Sequence, residues 1–168
     1  ESFIFPKLKH VFTVNESISD LYYKDYQIRP LVIRNLPTKT IIKKVKTKKD
    51  LGLPQDKKLV ILQGSGINID RGAEELLEAI SLQDDFFLCV VGTGDVIEKL
   101  QKRSNQTDLI NKVLFIPTLP YSQMMQYTMN ADLGVSLDKS NNVNYQFSLP
   151  NKIFDYVKRY KEEDYLMY

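Results

Sequence analysis

Beyond residue 57 the chain alternates short apolar runs with longer segments in which apolar residues recur every three to four positions. The apolar runs predict strands at 59–62, 87–91, 113–115 and 133–136, and the periodic segments predict helices at 72–81, 96–103, 122–129 and from 151 onward. Strands that alternate with helices of this length imply right-handed crossovers and a parallel sheet covered on both faces. The expected fold class is therefore α/β.

Three of the predicted helices carry an apolar stripe at helical spacing, which predicts the face that each turns to the core. The stripes are Ala73, Leu76, Leu77 and Ile80; Met124, Met125, Thr128 and Met129; and Ile153, Phe154, Val157 and Tyr160. The segment 158–165 at the end of the last helix is dense in charge and is expected to fray.

The first 37 residues predict a small βαβ-like lead-in, with strands at 11–14 and 31–33. Asn15 opens the helix between them with cap chemistry, and an Asn35-Leu36-Pro37 turn closes the unit. Six lysines follow, which predict a solvated connector over 38–56 (Lys39, Lys43, Lys44, Lys46, Lys48 and Lys49). The main domain is then expected to cover 57–168.

Composition narrows the function classes. With 168 residues, 43% of them hydrophobic, the chain can bury one ordinary core. Lysine and arginine number 23 against 21 acidic residues, and a net charge of +2 is too small to argue for a nucleic-acid partner. Cys89 is the single cysteine, which excludes an intrachain disulfide and fits a cytoplasmic setting. No apolar run approaches the roughly 20 residues of a membrane-spanning helix.

Polar residues that suit a phosphorylated ligand follow the first strand of the main domain. In a parallel sheet, ligands bind beyond the carboxyl ends of the strands, where the strand order reverses. The loop there carries Gly64-Ser65-Gly66 and ends at Asp70-Arg71-Gly72. Its glycines allow close approach of the backbone, and Arg71 adds a fixed positive charge, so a diphosphate would fit. The alternative is that the glycines make an ordinary turn and Arg71 is a solvated charge.

A second glycine turn, Gly92-Thr93-Gly94-Asp95, follows the next strong strand. It fits a nucleotide passing close to the backbone. It equally fits a β-to-α turn in which Asp95 caps the next helix.

The last helix opens on Leu149-Pro150-Asn151-Lys152-Ile153-Phe154-Asp155-Tyr156. An Asn that can cap, a Lys in the first turn and an Asp one turn later suit a polar ligand held at a helix start. The spacing also fits exposed salt bridges between Asp155 and either Lys152 or Arg159.

Together these motifs resemble the donor half of GT-B glycosyltransferases of group 1, the family that builds cell-surface polysaccharides. The resemblance implies a Rossmann-like parallel sheet over 57–168, a truncated donor nucleotide-sugar domain, and makes 1–37 the tail of the acceptor-side domain. It implies that Arg71 and Lys152 act on the diphosphate and that Asp155 binds ribose. The other residues that it places on the donor are Gly64, Ser65, Gly66, Gly92, Gly94 and Asn151.

Three departures from the family pattern bear on activity. Ser65 stands where relatives have an arginine, Asp155 stands for a glutamate, and the Ala-Gly-x-Pro-Val turn expected after the acidic helix is missing. The fragment is therefore expected to bind nucleotide weakly and to be inactive alone.

The resemblance implies sugar transfer from a nucleoside diphosphate sugar to a carbohydrate or lipid-linked acceptor, without a cofactor or an obligatory metal ion. The alternative is a non-catalytic nucleotide-sugar-binding module or partner subunit. An epimerase of the same architecture would need a base, and this sequence has no candidate base near the motifs, since His10 lies apart from them. A dehydrogenase would need a Gly-x-Gly-x-x-Gly turn.

Two polar segments each have two possible interpretations. Asn141, Asn142 and Asn144 would lie near the donor sugar and could contact its hydroxyls, although polar loops of this kind are usually solvated turns. The lysine-rich segment is a solvated linker or a peripheral contact with the inner face of the membrane.

Overall fold

A βαβ unit opens the chain in the computed structural model, which describes residues 3–35, 42, 44–140 and 143–165. Strand β1 (Phe12–Thr13), helix α1 (Glu16–Tyr26) and strand β2 (Leu31–Val32) follow one another, and the two strands pair in parallel. The predicted cap is confirmed, because Asn15 accepts a hydrogen bond from the amide of Ile18 at 2.9 Å. Leu36 and Pro37 of the predicted turn, and Lys39 and Lys43, lie outside the described residues.

Four parallel strands form the centre of the main domain. They are β3 (Lys58–Gly64), β4 (Phe86–Gly92), β5 (Val113–Ile116) and β6 (Leu133–Gly134). The helices are α2 (Ala73–Ser81), α3 (Ile97–Ser104), α4 (Tyr121–Asn130), α5 (Val143–Gln146) and α6 (Asn151–Tyr165). None of the described helices is long and apolar enough to cross a membrane.

Both faces of this sheet are covered by helices, which confirms the α/β class. Alternate residues of β3 and β4 point to opposite faces, as strand geometry requires. On one face Val60, Leu62, Leu88 and Val90 pack with the apolar residues of α2 and α3. On the other face Leu59, Ile61, Phe87, Cys89 and Val91 pack with residues of α4 and α6. The predicted α2 stripe, Ala73, Leu76, Leu77 and Ile80, is buried throughout.

The strand order β5-β4-β3-β6 fixes where a ligand can bind. The chain steps outward from β3 to β4 and β5, and then returns to place β6 on the other side of β3. The connections on either side of β3 therefore diverge, and a crevice forms beyond the carboxyl ends of β3 and β6.

The prediction for the buried face of α6 is wrong at Val157, although Ile153 and Phe154 are partly buried. Val157 is 48% exposed, whereas Asp155 and Tyr156 are buried at 6% and 9%. Tyr156 lies flat against Gly134, where a Cβ atom would collide with the ring. Apolar periodicity missed this face because the residue beside the tyrosine is a carboxylate whose partners lie on other elements. The side chain of Tyr160 lies outside the described part of the chain.

The other predicted elements are largely confirmed. Met125 and Thr128 are buried on α4, with Met124 partly buried beside them. The segment predicted as a loop contains the short helix α5, which no apolar periodicity announces. A distant contact holds the residue that follows this helix, since the side-chain amide of Asn15 donates to the carbonyl of Phe147 at 2.8 Å.

Part of the predicted connector packs on the main domain. Residues Lys49–Leu51 form a 3-10 turn, and Leu53 is only 4% exposed against the sheet. Lys48 Nζ donates to Asp132 at 3.0 Å and to the Lys57 carbonyl at 3.1 Å. The expectation of a solvated connector is therefore wrong for Lys48 and Leu53, whereas Lys44, Lys46 and Lys49 are exposed as predicted. The predicted domain limits stay predictions.

We expect Leu53→Ala to lower the free energy of unfolding by about 2–4 kcal/mol, because it removes a buried side chain and leaves a cavity. The matched control is Leu82→Ala at a position that is 81% exposed, which should change it by less than about 0.5 kcal/mol. Urea denaturation measures both. Equal, small effects would mean that residues 48–53 do not belong to the folded domain.

Candidate functional site

A cavity of about 240 Å³ opens beyond the carboxyl end of β3, against the start of α6. Its walls come from two segments that lie at opposite ends of the main domain's sequence. Six of the nine predicted site residues line it: Gly64, Ser65, Gly66, Arg71, Asn151 and Lys152. The structure thus brings both predicted cations to one cavity at the switch point of the sheet.

Arg71 is held in place and is not a solvated surface charge. Its Nε donates to Asp138 at 2.5 Å and its Nη1 donates to the carbonyl of Gly66 at 3.0 Å. The guanidinium also lies 5.2 Å from the ring centre of Tyr145 on α5. Two hydrogen bonds and a ring contact fix the orientation of the planar group, which suits it to bidentate recognition of phosphate.

Lys152 reaches the same cavity from the first turn of α6 and is half-buried. Burial lowers the pKa of its ammonium group; the nearby carboxylate of Asp138 opposes this shift, and the guanidinium of Arg71 adds to it. Within the described residues the ammonium has no hydrogen-bond acceptor. Because Lys152 lines the cavity, an anion that enters it could accept a charge-assisted hydrogen bond from this ammonium.

Asp138 is a member of this cluster that the sequence analysis did not single out. It follows β6, and its side chain is 7% exposed. One carboxylate oxygen accepts from Arg71, whereas Oδ2 is buried and has no hydrogen-bond partner among the described residues. The usable signal was its place in the chain, because the loop after β6 borders the same crevice as the loop that carries Arg71.

Asp155 lies behind the cavity and is not one of its lining residues. Its oxygens accept from Gln63 Nε2 at 2.9 Å and from the Tyr121 hydroxyl at 2.7 Å, and Thr128 donates to Gln63 Oε1 at 2.6 Å. Burial raises the pKa of Asp155, although the Tyr121 hydrogen bond, the Lys158 charge and the Gln63 hydrogen bond oppose it. The salt-bridge alternative with Lys152 is wrong, and the ribose assignment stays a prediction.

Asn151 stands at the first residue of α6, where its side-chain oxygen accepts from Asn35 Nδ2 at 2.9 Å. It therefore joins the described end of the lead-in to the rim of the cavity. Of the predicted sugar contacts, Asn141, Asn142 and the side chain of Asn144 lie outside what the structure describes.

The glycines of the two loops allow the ends of β3 and β4 to approach closely. Gly64 and Gly92 are register partners, and a Cβ atom on Gly92 would strike the carbonyl of Gly64. A Cβ atom on Gly94 would likewise strike the carbonyl of Ile67. The amide of Ile67 donates to the carbonyl of Thr93 at 3.0 Å, so the two loops are joined directly.

The predicted helix cap at Asp95 is wrong. Its carboxylate accepts from the amide of Ile69 at 3.0 Å, and α3 begins after Val96 without a side-chain cap. The neighbouring loop competes successfully for the carboxylate because the joined glycine turns bring its amides close.

A second cavity of about 460 Å³ lies beyond the ends of β4 and β5. Gly92 lines it, together with Thr93, Ile97, Phe115 and Pro117 among others. Gly92 is the register partner of Gly64, which lines the first cavity. A ligand could therefore extend from the first cavity to the second along the carboxyl edge of the sheet. Gly94 lines neither cavity, and among the described residues no three His, Cys, Asp or Glu side chains form a candidate metal site.

Residues 43–141, more than half of the chain, match the family described as glycosyl transferases, group 1. The chain belongs to this family. The predicted GT-B relationship is thereby confirmed at the level of family and fold, and no curated protein matches the chain significantly.

Solved structures share this fold. The chain matches TarM of S. aureus (TM-score 0.59, 16% identity, 78% of this chain and 25% of that one) and WaaG, a glycosyltransferase involved in lipopolysaccharide biosynthesis (0.65, 13%, 88% and 41%). It also matches a sucrose-phosphate synthase of Thermosynechococcus elongatus (0.57, 20%, 84% and 38%). The chain spans between a quarter and about two fifths of the length of these proteins.

We expect Asp155→Ala to lower the free energy of unfolding by about 1–3 kcal/mol, since it leaves the buried Gln63 amide without its acceptor and removes the hydrogen bond from the part-buried Tyr121 hydroxyl. Asp155→Asn should cost less than about 1 kcal/mol, because Gln63 can flip and Thr128 can accept in its place. Urea denaturation near neutral pH compares the two, and equal losses would contradict the proposed hydrogen-bond chain.

The same group predicts a pH dependence. Because the pKa of Asp155 is raised on folding, the folded chain binds more protons than the unfolded chain as the pH rises from the unfolded pKa of about 3.9 towards the folded value. Stability from this group is therefore present at low pH and is lost over that window. The difference in unfolding free energy between wild type and Asp155→Asn should shift against wild type with rising pH.

Proposed function

We propose that this chain binds a nucleoside diphosphate sugar at the carboxyl edge of its sheet, with the diphosphate between Arg71 and Lys152. In the complete enzyme this half would serve sugar transfer to a hydroxyl acceptor in the synthesis of a cell-surface polysaccharide or glycolipid. The observation that carries the proposal is the convergence of a fixed guanidinium and a lysine ammonium, which has no acceptor among the described residues, on one glycine-walled cavity.

The charge and size of the cavity favour this ligand. Arg71 and Lys152 exceed the single carboxylate of Asp138 by one positive charge, and the Gly64-Ser65-Gly66 backbone admits a close approach. A volume of about 240 Å³ is below the usual range of about 300–1,000 Å³ for drug-sized ligands, so the cavity suits a diphosphate with part of its substituents. The base would extend towards the second cavity beside Gly92.

In the proposed transfer step, negative charge would develop on the diphosphate next to Arg71 and Lys152. The bond between the sugar C1 and the terminal phosphate oxygen breaks, and its electron pair stays on that oxygen. The acceptor hydroxyl oxygen bonds to C1, and its proton leaves to the phosphate or to water. Arg71 and Lys152 would stabilise the departing diphosphate as its negative charge grows, which lowers the barrier without a metal ion or a cofactor.

The neighbours support the proposed substrates. The TarM structure contains UDP and alpha-GlcNAc-glycerol, and WaaG takes part in lipopolysaccharide biosynthesis. By analogy we propose a nucleotide-sugar donor and a carbohydrate or lipid-linked acceptor held by the rest of the enzyme. We also propose a cytoplasmic location, with the lysine-rich segment available for a peripheral contact with the inner face of the membrane.

We expect Arg71→Ala and Lys152→Ala each to weaken UDP binding by about 10- to 100-fold, the effect of losing a charge-assisted hydrogen bond to phosphate. The matched control is Arg103→Ala, because Arg103 pairs with Glu78 and Asp108 at the far end of α3. Isothermal titration of the full chain with UDP measures all three. Unchanged affinity in both cavity variants would remove the diphosphate from this cavity.

We expect Asp155→Asn to weaken UDP binding about fivefold and to leave pyrophosphate binding unchanged, if its carboxylate receives the ribose hydroxyls. Two lone pairs of the carboxylate remain beyond its bonds to Gln63 and Tyr121, so a further donor can be accepted. Titration with both ligands separates this role from a purely structural one. An equal change for UDP and pyrophosphate would exclude ribose recognition.

The alternative, a non-catalytic nucleotide-sugar-binding module, would use the same cavity. Binding experiments therefore do not distinguish it from the donor half of a transferase. A transfer assay with the complete protein and a lipid-linked acceptor does, because the module would bind donor without releasing nucleoside diphosphate.

A further inference from the structure

A buried acid stands beside the two cations of the cavity, and the ligand-binding role proposed above does not need it. The Asp138 side chain is 7% exposed and forms an ion pair with Arg71. Its Oδ2 atom has no partner among the described residues. A buried carboxylate oxygen without a donor is unfavourable, so its presence calls for a physical reason.

We propose that Asp138 is an internal counter-ion that limits how tightly the site holds the spent nucleotide, so that the nucleoside diphosphate leaves after sugar transfer. This inference rests on the function proposed above. Asp138 acts through Arg71 and Lys152 and is therefore a positioning and affinity-setting residue, not a catalytic one.

The geometry gives Asp138 two effects on Arg71. By accepting from Nε, it turns the opposite edge of the guanidinium away from itself, while Nη1 rests on the Gly66 carbonyl. By carrying a negative charge at hydrogen-bond distance, it also cancels much of the positive potential that Arg71 would present to an anion. Asp138 therefore keeps the orientation of the Arg71 guanidinium and reduces its attraction for an anion.

Lys152 is under the same influence. The carboxylate of Asp138 works against the effects of burial and of Arg71 on the pKa of the lysine, which places all three charges within electrostatic range of one another. The cluster carries two positive charges and one negative charge, a net charge of +1. Without Asp138 the same cavity would present +2 to a bound diphosphate.

The substrate and the product differ in charge, and this makes the counter-ion selective. In a nucleotide sugar the terminal phosphate is joined to the sugar by an ester bond and to the other phosphate by an anhydride bond, so the diphosphate carries about two negative charges. After transfer the terminal phosphate gains an ionisable oxygen with a pKa of about 6, so near neutral pH the product carries about three. Coulomb energy scales with ligand charge, so Asp138 repels the product more strongly than the substrate.

The test is the affinity of the full chain for UDP and UDP-glucose, measured by isothermal titration in wild type, Asp138→Asn and Asp138→Ser. We expect Asp138→Asn to tighten UDP-glucose binding about fourfold and UDP binding about eightfold, a ratio that follows from ligand charges of about two and three. Asp138→Ser removes the same charge with a smaller side chain and serves if the asparagine variant is poorly folded. The gains should shrink as ionic strength rises, because salt screens the lost charge.

The matched control is Asp84→Asn, which removes one negative charge from an exposed carboxylate just before β4, at the opposite edge of the sheet. It should leave both affinities unchanged. Tightening in the Asp138 variants that is larger for UDP than for UDP-glucose supports the inference. Unchanged or weaker UDP binding in both variants, or equal tightening for the two ligands, overturns it.

Failure of the proposed function would look different. If the wild-type chain bound neither UDP nor UDP-glucose, the nucleotide assignment itself would fall, and the counter-ion inference with it. If wild type bound both ligands and the variants did not discriminate between them, only the role of Asp138 would fall.

Discussion

A chain of hydrogen bonds determines where the site lies: it runs from Thr128 through Gln63 to Asp155, all three buried, and on to the more exposed Tyr121. It joins α4, the end of β3 and the first turns of α6, which are distant in sequence. Because every buried donor in it meets an acceptor, the start of α6 is held in one position over the sheet. Lys152, one turn before Asp155, is thereby fixed across the cavity from Arg71.

The order of the strands and the positions of the glycines also determine where the cavity lies. Because the chain returns after β5 to place β6 beside β3, a crevice opens beyond the end of β3. Gly64 and Gly92 pair too closely for a side chain on Gly92, so no side chain of these two residues enters that crevice. The loop after β6 places Asp138 within hydrogen-bond distance of Arg71. The polar cavity is thus a consequence of topology and packing, and its charges are set by three side chains from three separate segments.

Much of this could be predicted from the sequence. The alternation of apolar runs and amphipathic segments was enough for the α/β class, and the Gly64-Ser65-Gly66 and Lys152 motifs pointed to the cavity because they sit at strand ends and a helix start. The predictions that failed concern residues held by partners distant in sequence. Asp95 accepts from a neighbouring loop and does not cap its helix. The segment of α5 is held by contacts with Arg71 and Asn15. Apolar periodicity also cannot rank a carboxylate as buried, which is why the inner face of α6 was misplaced.

Asp155 and Asp138 show that burial of an acid has two different physical meanings here. The carboxylate of Asp155 is satisfied by donors from two elements and serves to hold the fold together. That of Asp138 is satisfied on one oxygen only, beside a lysine that has no acceptor within the described residues. A cluster in which one buried carboxylate oxygen has no donor and the charges do not cancel is less stable than a fully paired one. Such local frustration fits the proposed binding and release of a diphosphate, because a fully neutralised pocket would not attract that ligand and a purely cationic one would retain it.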